Sequence, residues 1–309
     1  MSDKVYFFNR KEDAAFLVTI GLCVRNEQAM IDKTIRSIFD QDFPRELMEL
    51  IVVDDGSEDA TLPTVLSLVS NSDICTAVFS TKWRGIGSAR NKVLDNAKGK
   101  YIVWIDGGMT ISKDYIRKLV KFMERNKNVG IAKGKCKTFD GKTIVSILES
   151  LQFLAVDFRY DKNVKNFVIG TGGAIYRVEA LKEIGGFDKN LAKSGEDLDV
   201  EYKMRDKGWL IYRVSSAVFG KKHPEKLTSA WHDNIKYGYG GHYLINKYSG
   251  EILARFKNVL VHGLLNAKMA YQLTYRKEAF LLPFYYSFMK IAWLIGYLKV
   301  RLAKSSSFR

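Results

Sequence analysis

The stretch Leu50–Ser70, LIVVDDGSEDATLPTVLSLVS, joins an unbroken apolar run to two aspartates, a Gly-Ser turn and an amphipathic run. A short Val/Ile-rich segment without alternation is what a strand covered on both faces requires, and the run after it repeats its apolar positions at helical spacing. Working outward, the same couplet recurs. FLVTIGLCV (16–24) precedes AMIDKTIRSIFDQ (29–41), ICTAVFS (74–80) precedes GSARNKVLDNA (87–97), and YIVWID (101–106) precedes KDYIRKLVKFM (113–123). Four strand-helix units predict an α/β fold, a mostly parallel sheet flanked by helices on both faces. Right-handed crossovers and the binding of ligands at strand C-termini then gather polar residues on one rim: Arg25 to Glu27, Asp54 to Ser57, Thr81 to Arg84 and Asp106 to Gly108.

With 309 residues, 47% of them hydrophobic and only 4 Pro, the chain has to bury a large core, which excludes disordered, collagen-like and disulfide-scaffold classes. The net charge of +15 is uneven, because residues 221–309 hold 15 Lys/Arg against 4 Asp/Glu. Such a field attracts phosphate on nucleotides, nucleic acid or anionic membranes, and it is equally the mark of a solvated surface. Cys23, Cys75 and Cys136 lie far apart and fit neither a disulfide framework nor a zinc spacing, so a reducing cytoplasm is expected. The opening MSDKVYFFNRKEDAAF lacks the apolar centre of a signal peptide. Ala279–Val300 has the length of a membrane span, yet Lys290 near its middle makes a simple span costly.

Four motifs carry possible chemistry. In IVVDDGSEDAT the paired acids Asp54 and Asp55 either cap a turn or accept a nucleobase N–H at the sheet crevice. GIGSARN has Gly85 and Gly87 but no third glycine, which disfavours a dinucleotide-binding dehydrogenase; its Arg90 reaches phosphate or ribose, or is an ordinary surface cation. YIVWIDGG delivers Asp106 to the rim and follows it with two glycines that allow close backbone approach to a ligand, or simply make a tight turn. SGEDLD crowds Glu196, Asp197 and Asp199 at a predicted helix start, where mutual repulsion raises a pKa usefully for a general base and the helix dipole offers a structural explanation.

In order and spacing, TIGLCVRNE, VVDDGSEDAT, GIGSARNKVLDNAKGKYIVWIDGG, GTGGAIYRVEALKEIGGFDKNLAKSGEDLDVEYKMRDKGW and KKHPEKLTSAWHDNIKYGYG resemble the blocks of the inverting glycosyltransferases of family two, over about residues 16–241. The resemblance implies a GT-A fold over residues 1–226, with a donor half at about 16–110 and an acceptor half at about 111–226, followed by a basic, aromatic helical region at 227–309. It places Cys23, Asn26, Glu27, Asp55, Arg90, Asp106 and Gly107 on the nucleotide-sugar donor. Gly172, Gly173, Glu196 and Asp199 would line the sugar and acceptor, and Asp197 would be the catalytic base.

The reaction so implied is a single displacement with inversion, in which Asp197 takes the proton of an acceptor hydroxyl as the nucleotide diphosphate leaves. One position departs from the family pattern: Gly108 stands where the second acid of Asp-x-Asp binds a divalent cation. Mn²⁺ or Mg²⁺ is therefore expected only through Asp106, with His223 as a second ligand. The processive Gln-x-x-Arg-Trp signature is absent, so one sugar per encounter is expected. The basic C-terminus, with Phe284, Tyr285, Tyr286, Trp293 and Tyr297 for the interface and Lys299, Arg301, Lys304 and Arg309 for head groups, suggests the cytoplasmic face of an anionic membrane and a lipid-linked acceptor. A core helix or a dimer contact would produce the same apolar stretch. A non-catalytic nucleotide-sugar or glycan-binding protein is the alternative that Gly108 motivates; no nucleic-acid-binding motif accompanies the charge.

Overall fold

The computed structural model describes residues 3–11, 14–137, 141–160, 170–248 and 259–306. Its elements run β1 (Lys4–Phe8), β2 (Val18–Val24), α1 (Ile31–Phe39), β3 (Met48–Asp55), α2 (Thr61–Val69), β4 (Cys75–Thr81), α3 (Ile86–Asn96), β5 (Tyr101–Asp106), β6 (Met109–Ile111), α4 (Tyr115–Arg125), β7 (Val129–Lys137) and α5 (Ile144–Tyr160). There follow β8 (Ala174–Arg177), α6 (Val178–Glu183), α7 (Glu196–Asp206), β9 (Leu210–Lys221), α8 (Leu227–Tyr248), α9 (Val259–Thr274) and α10 (Leu282–Ser306). All four strand-helix units read from the sequence form, as β2-α1, β3-α2, β4-α3 and β5-α4.

The chain divides into two compact units. The first comprises residues 1–137, 163–192 and 196–221, and the second comprises 138–162, 193–195 and 222–309. In the first, nine strands make one sheet in the order β1-β4-β3-β2-β5-β8-β7-β9-β6. Strands β4, β3, β2 and β5 are parallel to one another, whereas β8 runs antiparallel to both β5 and β7, and β1 and β6 close the edges antiparallel. The sheet is thus mixed beyond β5. The chain enters β8 from the rim where the parallel strands end, which brings the glycines at 170–173 beside Asp106.

Alternation along β3 shows how both faces are covered. Leu50 and Val52 join Ile31, Ile35 and Ile38 of α1, Val65 and Val69 of α2 and Leu119 of α4, while Ile51 and Val53 join Ala89 and Val93 of α3 and Val200 and Met204 of α7. Each such aliphatic side chain stabilises the fold by roughly 1.5–3 kcal/mol. A buried cation ties down one helix end: Arg177 donates to the carbonyls of Val129 (3.0 Å), Met123 (3.2 Å) and Asn126 (3.1 Å), at the C-terminus of α4 where carbonyls lack helical partners.

The second unit is helical and has its own core of Val145, Leu148, Leu151, Ala230, Ala267, Ala270, Leu282, Tyr285 and Met289. Helices α8 and α10 approach closely through glycine, since a methyl group on Gly296 would collide with the Ile235 carbonyl and one on Gly241 with the Trp293 ring. Four of the five aromatic residues expected at a membrane interface are turned inward or half-buried. Tyr285 donates to Glu149 (2.6 Å), the Tyr286 hydroxyl accepts from Asn266 (2.7 Å), and Trp293 stacks on Tyr297 with ring centroids 5.5 Å apart. The hydroxyls of Tyr285 and Tyr286 thus find partners in the unit, and the exposed side chains of α10 are instead Phe284, Phe288, Ile291, Leu294, Leu298 and Leu302. Among the described residues, one helical stretch, Lys277–Leu302, is long and apolar enough to cross a membrane. The Lys304 side chain and Arg309 lie outside the described residues.

Candidate active site

The rim loops after β2 and β3 are laced together. Asn26, in the left-handed conformation at φ 56°, accepts from the Glu58 amide at 2.8 Å and donates its own amide to Ser57 Oγ at 3.0 Å. The Glu27 amide donates to Thr61 Oγ1 at 2.7 Å, and the Glu27 side chain lies against Gly107, where a methyl group would collide with it. Gly108 adopts φ +80°, a left-handed turn suited to glycine.

Asp55 ends β3 and is buried. Its Oδ1 accepts from the Arg84 amide at 2.8 Å and its Oδ2 from the Gly85 amide at 2.9 Å, so it clamps the loop leading into α3. A carboxylate offers about four acceptor directions, and two are thus spent on the backbone. Asp55→Ala is expected to weaken binding of a nucleoside diphosphate by about 1–3 kcal/mol, as the loop loses its anchor and the base a partner. Calorimetry measures this, and an unchanged affinity would confine Asp55 to the turn. Cys23 lies beside it with its thiol pushed up to about 12 by burial, so it remains a neutral thiol.

Arg90 is the centre of the site. It projects from α3, is 5% exposed, and its guanidinium bonds Glu196 at the start of α7 through one nitrogen and Asp106 at the end of β5 (3.3 Å) through another. Trp104 and Phe187 flank it at 5.9 and 5.6 Å. Burial pushes the Glu196 carboxyl up to about 7, against the opposing pull of Arg90. The three acids of the 196–199 cluster therefore separate. Glu196 is buried against Arg90, and Asp199 is fully buried and paired with Lys203 at 2.8 Å. Asp197 alone stays half-exposed, its Oδ1 accepting from the Leu198 amide at 2.8 Å.

The glycines face this pair of acids. A methyl group on Gly172 would collide with Asp106 Oδ2, so only glycine permits that approach, and one on Gly170 would lie 3.4 Å from Asp197 Oδ2 and 3.6 Å from Lys133 Nζ. The Gly173 amide donates to the Trp104 carbonyl at 2.8 Å. Cys23, Asp55, Arg90, Asp106, Gly172, Gly173, Glu196 and Asp197 thus all belong to the first unit and to its rim. His223 belongs to the second unit, where its ring packs at 5.1 Å from that of Phe153.

A profile of Glycosyl transferase family 2 matches residues 19–185. The chain belongs to that family. This family 2 glycosyltransferase is 20% identical over 229 residues to the poly-beta-1,6-N-acetyl-D-glucosamine synthase of Staphylococcus epidermidis, covering 73% of this chain and 54% of the relative. It therefore spans about half the length of the curated relatives it matches. Among solved structures it resembles the mannosyltransferase PcManGT from Pyrobaculum calidifontis in complex with GDP-Man and Mn²⁺ (TM-score 0.67, 19% identity, 94% of this chain and 90% of that one). It also resembles residues 1–349 of S. aureus TarS in complex with UDP-GlcNAc (TM-score 0.56, 18% identity, 94% and 92%). At these identities the likeness establishes the GT-A fold.

Two residues at the family 2 site escaped the sequence reading. Lys133 sits half-buried on β7, and Glu201, 1% exposed on α7, accepts from the Gly170 amide at 2.9 Å. The signal for Lys133 was a lysine inside the apolar run VGIAKG, and for Glu201 an acid one turn after Asp197 in a helix otherwise read for its first turn.

Proposed function

We propose that this chain transfers one sugar from a nucleoside diphosphate sugar to an acceptor hydroxyl with inversion at the anomeric carbon, using Asp197 as general base. The observation that carries the reading is the fate of the three acids: Arg90 occupies Glu196, Lys203 occupies Asp199, and Asp197 remains accessible beside Gly170. The base deprotonates the hydroxyl as it attacks, and the nucleoside diphosphate departs from the opposite face. UDP-GlcNAc is the first donor to test, since a relative is named for an N-acetylglucosamine polymer and a structural neighbour holds that nucleotide sugar; GDP-Man is the second. Purified protein incubated with each donor and assayed for released nucleoside diphosphate tests the proposal. Binding without any release would favour the non-catalytic alternative.

The structural neighbour PcManGT is in complex with Mn²⁺, but the residues here supply a short ligand set. Asp106 already faces Arg90, Gly108 contributes no carboxylate, and no cluster of three His, Cys, Asp or Glu suited to a metal occurs among the described residues. These residues do not form a metal site on their own. The protein without nucleotide is expected to take up no stoichiometric Mn²⁺ by electron paramagnetic resonance titration, and Gly108→Asp to create measurable uptake. Tight Mn²⁺ binding by the unaltered chain would overturn this.

The helical unit supports attachment to the cytoplasmic face of an anionic membrane, with α10 lying in the interface. Its inward side is occupied by α8, and its outward side is the Phe284 to Leu302 stripe, with Lys299 and Arg301 at its end. Replacing Phe284, Ile291, Leu294 and Leu298 by Ser spares the packed side, including Phe288, whose ring meets that of Trp231 at 4.6 Å. The variant is expected to lose flotation with anionic vesicles, and a wild-type chain that never floats would make this face a protein contact.

A further inference from the structure

The turn of Gly170, Thr171, Gly172 and Gly173 touches both Asp106 and Asp197. A methyl group on Gly172 would collide with Asp106 Oδ2, and one on Gly170 would lie 3.4 Å from Asp197 Oδ2. Two residues of chain span at most about 7 Å, so the turn is a short spacer between the two acids. A reacting group displaced by about 1 Å loses on the order of 100-fold in rate, so the hold on this spacer bears on chemistry as well as on folding.

The Gly173 end is fixed by the sheet and by α4. The Gly173 amide donates to the Trp104 carbonyl at 2.8 Å, and the buried Tyr115 hydroxyl donates to the Gly173 carbonyl. Thr171 Oγ1 and the Tyr176 hydroxyl share a bond of 3.2 Å. Gly170 precedes β8 by four residues and is held by side chains. Its amide donates to Glu201 Oε1 at 2.9 Å, and its carbonyl accepts from Lys133 Nζ at 3.4 Å. At φ +70° it adopts a left-handed conformation that glycine accommodates.

Glu201 is 1% exposed and stands one turn after Asp197 on α7, so the two leave the same face of that helix. Its bond to Gly170 therefore ties the turn to the helix that carries Asp197, beside Asp197 itself. A carboxylate that accepts from an amide forms a charge-assisted bond, about twice as strong as a neutral one. We propose that Glu201 is a positioning residue: by holding the Gly170 amide it fixes the turn against Asp197 and so sets how Asp197 Oδ2 meets the incoming hydroxyl. The inference rests on Asp197 being the base, and it gives Glu201 neither a substrate contact nor a proton to carry.

The test uses the full chain with water as the acceptor. Hydrolysis of UDP-GlcNAc and of GDP-Man is followed through the released nucleoside diphosphate, with kcat and KM separated, and calorimetry gives the affinity for UDP and GDP. Exchange of the Gly170 amide is read by NMR in protein carrying isotopically labelled glycine. Glu201→Leu removes the acceptor oxygen, Glu201→Gln keeps it without the charge, and Glu201→Asp keeps the charge on a shorter side chain. Glu201→Leu is expected to lower kcat at least about tenfold, with donor KM and nucleoside diphosphate affinity within about threefold, and to speed Gly170 exchange at least about tenfold. Glu201→Gln should recover most of both, and Glu201→Asp should change both in the direction of Glu201→Leu. Wild-type kcat in Glu201→Leu, an equal loss of kcat and nucleotide affinity, or a Glu201→Gln as slow as Glu201→Leu would overturn the proposal. Should Glu201→Leu not fold, wild-type kcat and exchange in Glu201→Asp would overturn it. A wild-type chain that releases nothing from either donor would overturn the proposed function and this role with it, whereas active wild type with equal Gly170 exchange in all variants would overturn the role of Glu201 alone.

Discussion

Asn in place of Asp197 is expected to lower transfer by on the order of 100- to 10,000-fold, the usual contribution of a positioned general base, while nucleoside diphosphate affinity stays within a few-fold. Asn keeps the size of the side chain and an oxygen that still accepts from the Leu198 amide, which Asp197 Oδ1 meets at 2.8 Å. The start of α7 should therefore survive the change, and only the proton acceptor is lost. The neighbours offer no replacement, because Asp199 is sealed against Lys203 and Glu196 against Arg90. A near-normal turnover number for Asp197→Asn would remove the whole 196–199 cluster from base catalysis. Steady-state rates and calorimetry on the same preparation separate loss of chemistry from loss of binding.

Arg90→Met should be the most destabilising single change in the site. It leaves Glu196, 5% exposed, without its cation and strips Asp106 of a partner, a situation that typically costs about 3–5 kcal/mol. The loss depends on pH in a definite direction. Burial already holds the Glu196 carboxyl up at about 7 against the pull of Arg90, and removing Arg90 raises it further. A carboxyl raised in the folded state contributes stability at pH below its unfolded value and loses it as pH rises through the folded value. The variant should thus lie closer to wild type near pH 5 and fall furthest behind near pH 8. Urea denaturation at both values measures this; an equal deficit at both would show that Glu196 does not titrate with the loss of Arg90.

Much of the fold was legible because parallel strands are apolar throughout. Residues 50–54, 101–106 and the two runs beside them carried the strand signal without help from tertiary context. β1 and β7 were not legible for the opposite reason. β1 is a partly exposed edge strand, and β7 interrupts its apolar positions with Lys133, Lys135 and Lys137. The acids of the site could be found from spacing, but their division of labour could not. Arg90 and Glu196 stand 106 residues apart, and only folding brings the guanidinium from α3 to the first turn of α7. Read alone, Arg90 passes for a phosphate ligand or a surface cation; in place, it is the brace between Asp106 at the end of β5 and Glu196 at the start of α7. Asp55 behaves likewise, since the amides of Arg84 and Gly85 that it holds lie about thirty positions on.

The aromatic wall around Arg90 also gives the molecule an optical reporter. Trp104 is 1% exposed, meets Tyr176 and Phe187 edge to face at 6.3 and 5.4 Å, and has the Arg90 guanidinium 5.9 Å away. An indole held rigidly beside a fixed charge gives strong near-ultraviolet dichroism and blue emission. Charge arriving at Asp106 perturbs both through Arg90. Of the five tryptophans, Trp83 is 48% exposed on the loop that Asp55 clamps, so it emits further to the red than the buried Trp104. Arrival of the proposed donor can accordingly be followed in the unlabelled protein as a change in near-ultraviolet dichroism, through an indole packed behind Arg90.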